Sequence, residues 1–181
     1  MDLEARERKA LETLSPLGRA AASLFAIACV ERLRPLLKYV PSGSPALVAG
    51  TALTELWRVL EGLQRPDPKR LAELSEACWV LVEIEATPKV SSALLEALVA
   101  AMRHALETYL SGKPGEAVAG ARKICEAAGA ADAEERARQD RDLAEIAGWF
   151  RAGRPPAQLA KKIRERAESE GAKLAAALVK R

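Results

Sequence analysis

Four prolines directly follow a residue that can cap a helix, and this pattern constrains the fold more than any other. The pairs are Ser15-Pro16, Ser44-Pro45, Asp67-Pro68 and Thr87-Pro88. A Ser, Thr or Asp oxygen accepts a hydrogen bond from an early backbone N–H of a helix, and proline is tolerated there because its missing N–H would have no partner. Each pair therefore predicts a helix start. Asp132 and Glu135 have the spacing of a capping box and predict a fifth start.

Glycines that follow apolar runs predict the helix ends, because the left-handed conformation favoured there suits glycine. They are Gly62, Gly112, Gly129 and Gly153. Starts and ends together predict helices at about 3–14, 16–38, 45–63, 68–86, 88–111, 115–128, 132–152 and 156–179. Pro35 falls inside the second helix and should kink it, or end its regular part near Leu33.

The composition favours an all-α fold. Ala and Leu, both strong helix formers, supply 37 and 25 of the 181 residues, whereas aromatic residues make up only 4%. Short connections between the predicted helices favour antiparallel packing. We therefore expect an antiparallel bundle of about seven or eight helices.

Apolar residues recur three and four positions apart, as in Leu71, Leu74, Cys78, Leu81 and Val82. Residues 80–85 alternate like a strand, but we interpret them as helical because no second strand is present to pair with them.

Charge is unevenly distributed. The net charge is +3, and residues 151–181 carry nine basic and three acidic residues. We expect residues 1–150 to form a helical core, and residues 151–181 a basic C-terminal helix that packs on the same domain or extends from it. Such a helix is a solvated surface or a contact for an acidic partner. Nucleic acid is the less favoured partner, because no aromatic residue follows Phe150 to stack on bases. A nucleic-acid-associated protein that contacts phosphates through residues 151–181 is an alternative that the sequence leaves open.

The three cysteines, Cys29, Cys78 and Cys125, lie in apolar helical contexts and far apart in the sequence. They predict buried free thiols in a reducing compartment. The charged N-terminus is unlike a signal peptide, and the longest weakly charged stretch, 20–30, is too short to span a bilayer. We therefore expect a cytoplasmic protein with no membrane partner.

Motifs for known chemistry are missing from the sequence. His104 is the single histidine, and neither HExxH, CxxC, GxGxxG nor a P-loop occurs. We therefore predict no catalytic residue, no cofactor and no metal. Glu31 and Glu55, which lie in apolar helices, leave open an enzyme that uses carboxylates with a divalent metal. Nearby arginines favour ion pairs for both glutamates.

Candidate partner-binding residues are acidic, aromatic or basic. They are Glu73, Glu76, Glu83, Glu85, Trp57, Trp149, Arg151 and Arg154. Clustered glutamates would steer a basic partner, and an exposed Trp or Arg would anchor it. Trp57, Trp79 and Trp149 are expected in the core unless one of them is exposed. A homodimer is a further alternative.

Residues 16–146 resemble the uncharacterised bacterial YjaG-like family of all-helical proteins. The matching positions are Phe25, Ala28, Cys29, Glu31, Arg32, Pro35 and Trp57, with Gln139 and Leu143 in a later segment. In this chain Val30 separates Cys29 from Glu31, where the family is more compact. The resemblance implies an all-α fold and brings no activity, cofactor or catalytic residue.

These observations predict a non-enzymatic protein that binds another protein. Small helical proteins without catalytic motifs include immunity proteins, which bind and neutralise a cognate bacterial toxin. This class-level inference is the function we expect from the sequence.

Overall fold

The computed structural model describes residues 3–44, 46–79 and 86–179, and every regular element within them is helical. This confirms the all-α fold class. The α-helices are α1 (Leu3–Leu14), α2 (Gly18–Glu31), α3 (Leu47–Leu60), α4 (Pro68–Trp79), α5 (Ser92–Ser111), α6 (Pro114–Ala128), α7 (Asp132–Arg151) and α8 (Pro156–Leu178). Short 3₁₀ helices span Ser15–Leu17, Arg34–Tyr39 and Gly129–Ala131. The helical interpretation of residues 80–85 lies outside the described residues.

Two helix boundaries follow from local sequence signals: Pro35 after the end of α2, and Asp67 before the start of α4. The α-helical part of α2 ends at Glu31, and Pro35 lies in the first turn of the 3₁₀ helix that follows. Proline cannot continue an α-helix because it lacks the N–H that would bond one turn back. Asp67 caps α4 as predicted, since its Oδ1 accepts a hydrogen bond from the Arg70 N–H at 3.1 Å.

Two of the predicted caps are wrong. The Ser15 hydroxyl donates back to the Leu11 carbonyl of α1 and caps no new helix; Ser15 lies in the 3₁₀ helix that joins α1 to α2. Thr87 closes a turn, in which its Oγ1 accepts from the Val90 N–H at 2.9 Å. The helix after that turn starts at Ser92 and is capped by Ser91, whose Oγ accepts from Leu94. Ser and Thr form such local hydrogen bonds in turns as readily as at caps, which explains both errors.

The capping box at the start of α7 is also wrong, although the helix begins at Asp132 as predicted. Asp132 accepts a hydrogen bond from Arg136 one turn later. Glu135 does not turn back to the helix start, because it is fully buried against Arg32.

Helix α2 lies at the centre of the core. Residues 21–31 are all buried, and α2 packs against α5, α6, α7 and α8.

The stretch Leu3–Tyr39, which contains α2, is long and apolar enough to cross a membrane by length and composition. However, 61% of its most apolar window is buried inside the protein, as in the core helices of soluble proteins. The expectations on membrane and cytoplasmic location therefore stay predictions.

Helix α8 approaches the end of α2 very closely at Gly171. A Cβ atom added there would lie 2.9 Å from the Arg32 carbonyl oxygen and 3.0 Å from the Arg32 Cα. Both atoms belong to the backbone, so a side chain at this position would require the two segments to move apart. Glycine therefore allows α8 to pack directly on the chain just after α2.

We predict that Gly171→Ala lowers the free energy of unfolding by about 1–3 kcal/mol, because the added methyl group overpacks this contact. Gly148→Ala in α7 is the matched control, since nothing lies within 4 Å of its added Cβ. Alanine has the higher helix propensity, so the control should gain about 0.5–1 kcal/mol. Urea unfolding measures both. Equal effects of the two substitutions would contradict the close approach.

Candidate partner-binding surface

Helix α7 presents a stripe of polar side chains to the protein interior. Glu135, Arg138, Gln139 and Asp142 recur at spacings of three and four and are at most 6% exposed. Charged groups lose hydration when buried, so each needs a partner inside the protein. Arg138 pairs with Glu134 and Glu135 of α7 itself. The partners of the other three come from α1, α6, α8 and the residue that follows α2.

Arg32 is the centre of this buried network. Its guanidinium is fully buried and donates to Glu135 through Nε (3.0 Å) and Nη2 (2.8 Å), and to Asp142 through Nη1 (2.6 Å). Two parallel hydrogen bonds to one carboxylate are the strong geometry for arginine. Gln139 completes the arrangement by donating to Glu135 and to the Ala121 carbonyl, both at 3.1 Å.

Two basic side chains of α8 also pair with acidic residues of α7. Arg166 donates to Asp142 at 2.6 Å and also to Glu145. Lys162 lies 2.6 Å from Glu145. Partial burial alone would raise the pKa of Glu145, but the hydrogen bonds from Lys162 and Arg166 outweigh it and lower that pKa below its ordinary value. Part of the positive charge of residues 151–181 is therefore neutralised within the chain.

We predict that Arg32→Met destabilises the protein by about 3–5 kcal/mol, because it leaves Glu135 and Asp142 buried without their main cation. Arg70→Met is the matched control. Arg70 lies 3.6 Å from Glu73, and both side chains are about half exposed, so its loss should cost at most about 1 kcal/mol. Urea unfolding gives both values, and similar losses for the two variants would refute a structural role for the buried network.

Glu31 and Trp57 form a second buried polar contact. The Trp57 indole N–H donates to Glu31 Oε2 at 2.6 Å, and Arg34 lies 3.4 Å from the other oxygen. Trp57 is 0% exposed, so the prediction that it binds a partner is corrected: its ring is fully packed in the core. Burial raises the pKa of Glu31, although Arg34 and Trp57 oppose this effect; the more distant Glu168 adds to it.

We predict that Glu31→Gln increases stability relative to the wild type as pH rises. A carboxyl group whose pKa is raised on folding stabilises the folded state below its unfolded pKa and loses that contribution as pH increases through its folded pKa. Glutamine has no such dependence and can still accept from Trp57. The test is the difference in unfolding free energy between variant and wild type, from acidic to neutral pH. A difference independent of pH, or one that falls, would contradict this.

The structure places Glu55 beside Arg70 at 3.4 Å, an ion pair of the kind the sequence favoured. Among residues 3–44, 46–79 and 86–179, no group of three or more His, Cys, Asp or Glu side chains is arranged to hold a metal ion.

Burial confirms the interpretation of the cysteines as free thiols inside the protein. It raises the pKa of Cys78 to about 12 and that of Cys125 to about 11, against the smaller opposing effects of Arg103 and Arg6. Burial also raises the pKa of Cys29. All three are therefore thiols, not thiolates, near neutral pH, and thiols are poor nucleophiles.

Trp79, at the end of α4, is 57% exposed, the largest exposed aromatic side chain described. The Arg103 guanidinium of α5 stacks on its ring, 3.5 Å from the ring centre. Such stacking holds both side chains in place and leaves part of the indole accessible. Trp and Arg dominate the energetics of protein interfaces, and a fixed pair loses little entropy on binding.

The glutamates predicted to attract a partner lie partly beside this pair. Glu73 and Glu76 are exposed and precede Trp79 by six and three residues on α4, so all three belong to one side of the helix. We define the Trp79 surface as Glu73, Glu76, Trp79 and Arg103. Glu83 and Glu85 lie outside the described residues.

Trp149, Arg151 and Arg154 lie apart from this surface, where α7 turns into α8. Trp149 is half-buried, and its indole N–H donates to the Pro155 carbonyl at 3.0 Å. Arg154 lies over the same ring at 5.1 Å. These contacts brace the turn, while Arg151 and Arg154 themselves are exposed.

A groove of about 500 Å³ lies between the end of α3 and the start of α8. Leu63, on its edge, is 69% exposed. Arg164 lines the groove and pairs with Glu61 at 3.3 Å and with Glu168 at 3.0 Å. This groove is the main alternative surface to that of Trp79.

The sequence predicted Trp57 and Trp149 as candidate partner residues, and it predicted Trp79 as an anchor only if that ring were exposed. The helical spacing contained a usable signal, since Trp79 falls one position after Cys78, the last described member of the buried stripe Leu71, Leu74 and Cys78. That step turns a side chain by about 100° around the helix, away from the core.

Comparisons with protein-family models, curated proteins and solved structures found no match for this chain. The resemblance to the YjaG-like family therefore stays a prediction.

Proposed function

We propose that this chain is a non-enzymatic protein that binds another protein through the Trp79 surface. The observation that carries the proposal is the exposed Trp79 ring with Arg103 stacked on it. Exposing so much of an indole costs hydration free energy, and binding a partner would recover it.

The acidic residues on α4 favour a partner with a basic contact face. Glu73 and Glu76 are both exposed beside Trp79. Opposite charges across an interface accelerate association and fix its orientation. Arg70 offsets part of this charge by pairing with Glu73, so the apolar ring rather than the charge supplies most of the affinity in this proposal.

The kind of partner we propose is a cognate toxin that the chain neutralises by covering its active site, as immunity proteins do. Under this proposal the chain acts in the cytoplasm, and the antiparallel bundle expected from the sequence serves as a rigid support for α4 and α5. A toxin that acts on nucleic acid would present the required basic face.

None of the three alternatives gains a specific observation. Arg164 and Arg166 of the basic helix pair with acidic residues of the same chain, which reduces the charge available to phosphates. Glu31 and Glu55 each pair with an arginine. The metal-dependent enzyme, the nucleic-acid-binding protein and the homodimer stay predictions.

The test is co-expression of the chain with the products of its neighbouring genes, followed by purification and measurement of Kd for any complex. We predict that Trp79→Ala weakens binding by about 2 kcal/mol or more, roughly 30-fold in Kd. Leu63→Ala, which removes another exposed apolar side chain at the α3–α8 groove, should leave Kd within about twofold.

Growth rescue connects binding to function. Cells that express the toxic neighbour should grow with the wild-type chain or Leu63→Ala, and grow poorly with Trp79→Ala at equal chain abundance. A complex that is weakened by Leu63→Ala and not by Trp79→Ala would place the interface at the groove. The absence of any complex and of any rescue would refute the proposed function.

A further inference from the structure

The Arg103 guanidinium, stacked on Trp79 at 3.5 Å from the ring centre, places a positive charge on the Trp79 surface. In the part of the chain that the structure describes, no carboxylate pairs with this guanidinium and no hydrogen bond reaches its nitrogen atoms. Its charge acts on the Cys78 thiol, but burial outweighs this effect and raises the pKa of Cys78 to about 12, so that thiol is uncharged near neutral pH. No described neighbour therefore balances the charge of Arg103.

The acidic residue that is best placed along the helix to pair with Arg103 is held by another helix. Glu107 follows Arg103 by four positions on α5, the spacing at which oppositely charged side chains of a helix meet. Instead, Glu107 Oε1 accepts a hydrogen bond at 2.6 Å from the hydroxyl of Ser75, a buried residue of α4. This contact between α4 and α5 engages Glu107, so Arg103 stays free for a group from outside the chain.

The accessible end of Arg103 has the geometry that binds a carboxylate. The residue is partly exposed, and Nε is its only nitrogen atom that is both buried and unpaired. Nη1 and Nη2, which have no partner among the described residues either, therefore reach the surface. They can donate two parallel hydrogen bonds to the two oxygens of one carboxylate. Stacking on Trp79 occupies a face of the planar guanidinium and leaves this donor edge open.

The charges around Arg103 favour a carboxylate over a phosphate. Glu73 and Glu76 are exposed on the same surface, and they repel any group or strand that carries several negative charges. A single carboxylate has one negative charge, which Arg103 alone can balance. The two glutamates attract basic side chains around it. The Trp79 surface thus suits an acidic residue that has basic neighbours.

We propose that Arg103 binds an aspartate or glutamate side chain of the partner protein, at a point where the partner's contact face is otherwise basic. This inference rests on the proposed function and adds the chemistry of the contact to it. The partner's carboxylate accepts from Nη1 and Nη2, and the Trp79 ring helps to shield these hydrogen bonds from water. A partner with a uniformly basic face would set like charge against Arg103, so the contact also gives specificity.

Titration of the free chain with sodium acetate tests whether Arg103 binds a carboxylate, with sodium chloride at equal ionic strength as the control. The readout is the indole N–H signal of Trp79 in a two-dimensional NMR spectrum, which is assigned by its loss in Trp79→Phe. Acetate should move this signal saturably and leave the signal of the buried Trp57 in place, whereas chloride should move neither. Arg103→Gln should abolish the response to acetate.

Three results of this titration would overturn the inference. They are the absence of a response in the wild type, a response that persists in Arg103→Gln, and a response to inorganic phosphate at lower concentration than to acetate. The last result would identify a phosphate site.

The role of Ser75 as a positioning residue has its own test. Ser75→Ala releases Glu107, which can then pair with Arg103 and compete with acetate, so acetate should bind more weakly. Adding Glu107→Gln to Ser75→Ala should restore binding, because glutamine carries no charge to compete. A purely structural effect of Ser75→Ala would not be reversed in this way, so a failure of the rescue would count against the inference.

A complex with a neighbouring gene product separates this inference from the proposed function. Arg103→Lys keeps the charge but loses the paired donors, so Kd should rise about tenfold or more. Replacing one acidic residue of the partner by its amide should have a similar effect, and the two substitutions together should cost less than their sum. A complex that Trp79→Ala weakens and Arg103→Lys leaves unchanged would overturn this inference alone. The absence of any complex would refute both.

Discussion

The contact between the Arg32 guanidinium and two carboxylates of α7 determines how the central helices of this protein fit together. Burying charges is costly, and a buried ion pair adds little net stability compared with apolar side chains of similar size. Its effect here is on geometry. Glu135 and Asp142 lie two helical turns apart and both bind Arg32, so a shift of α7 by one residue would leave buried charges without partners.

The Arg32 contact belongs to a longer chain of hydrogen bonds that crosses the protein. Arg6 of α1 donates to Gln139, Gln139 donates to Glu135, and Glu135 accepts from Arg32. On the other side, Asp142 accepts from both Arg32 and Arg166 of α8. Helix α7 thus links the two ends of the chain, while α4 and α5 present the exposed Trp79 surface. The Arg32 network and the proposed contact site occupy different helices.

Local signals in the sequence predicted most of the helices, but they did not predict the partners of the buried polar groups. Asp67 caps the residues that directly follow it, and Pro35 lacks the N–H that would continue the helix before it. Their positions alone therefore predicted a helix start and a helix end. Arg32, the partner that Glu135 and Asp142 share, lies more than a hundred residues away from both in the sequence. Nothing local distinguishes a polar stripe that meets Arg32 from one that meets water. Trp57 is a similar case, since the packing around α3 decides that its ring is buried, whereas the apolar spacing of α4 already indicated that Trp79 faces away from the core.

The most direct test of this account is a double-mutant cycle between Arg32→Met and Asp142→Leu, measured as unfolding free energies. If the two charges depend on each other, the second substitution removes a carboxylate that the first left unpaired. The double variant should then be more stable than the sum of the single effects predicts, by about 0.5–3 kcal/mol. Additive effects would show that the buried contact does not organise the central helices.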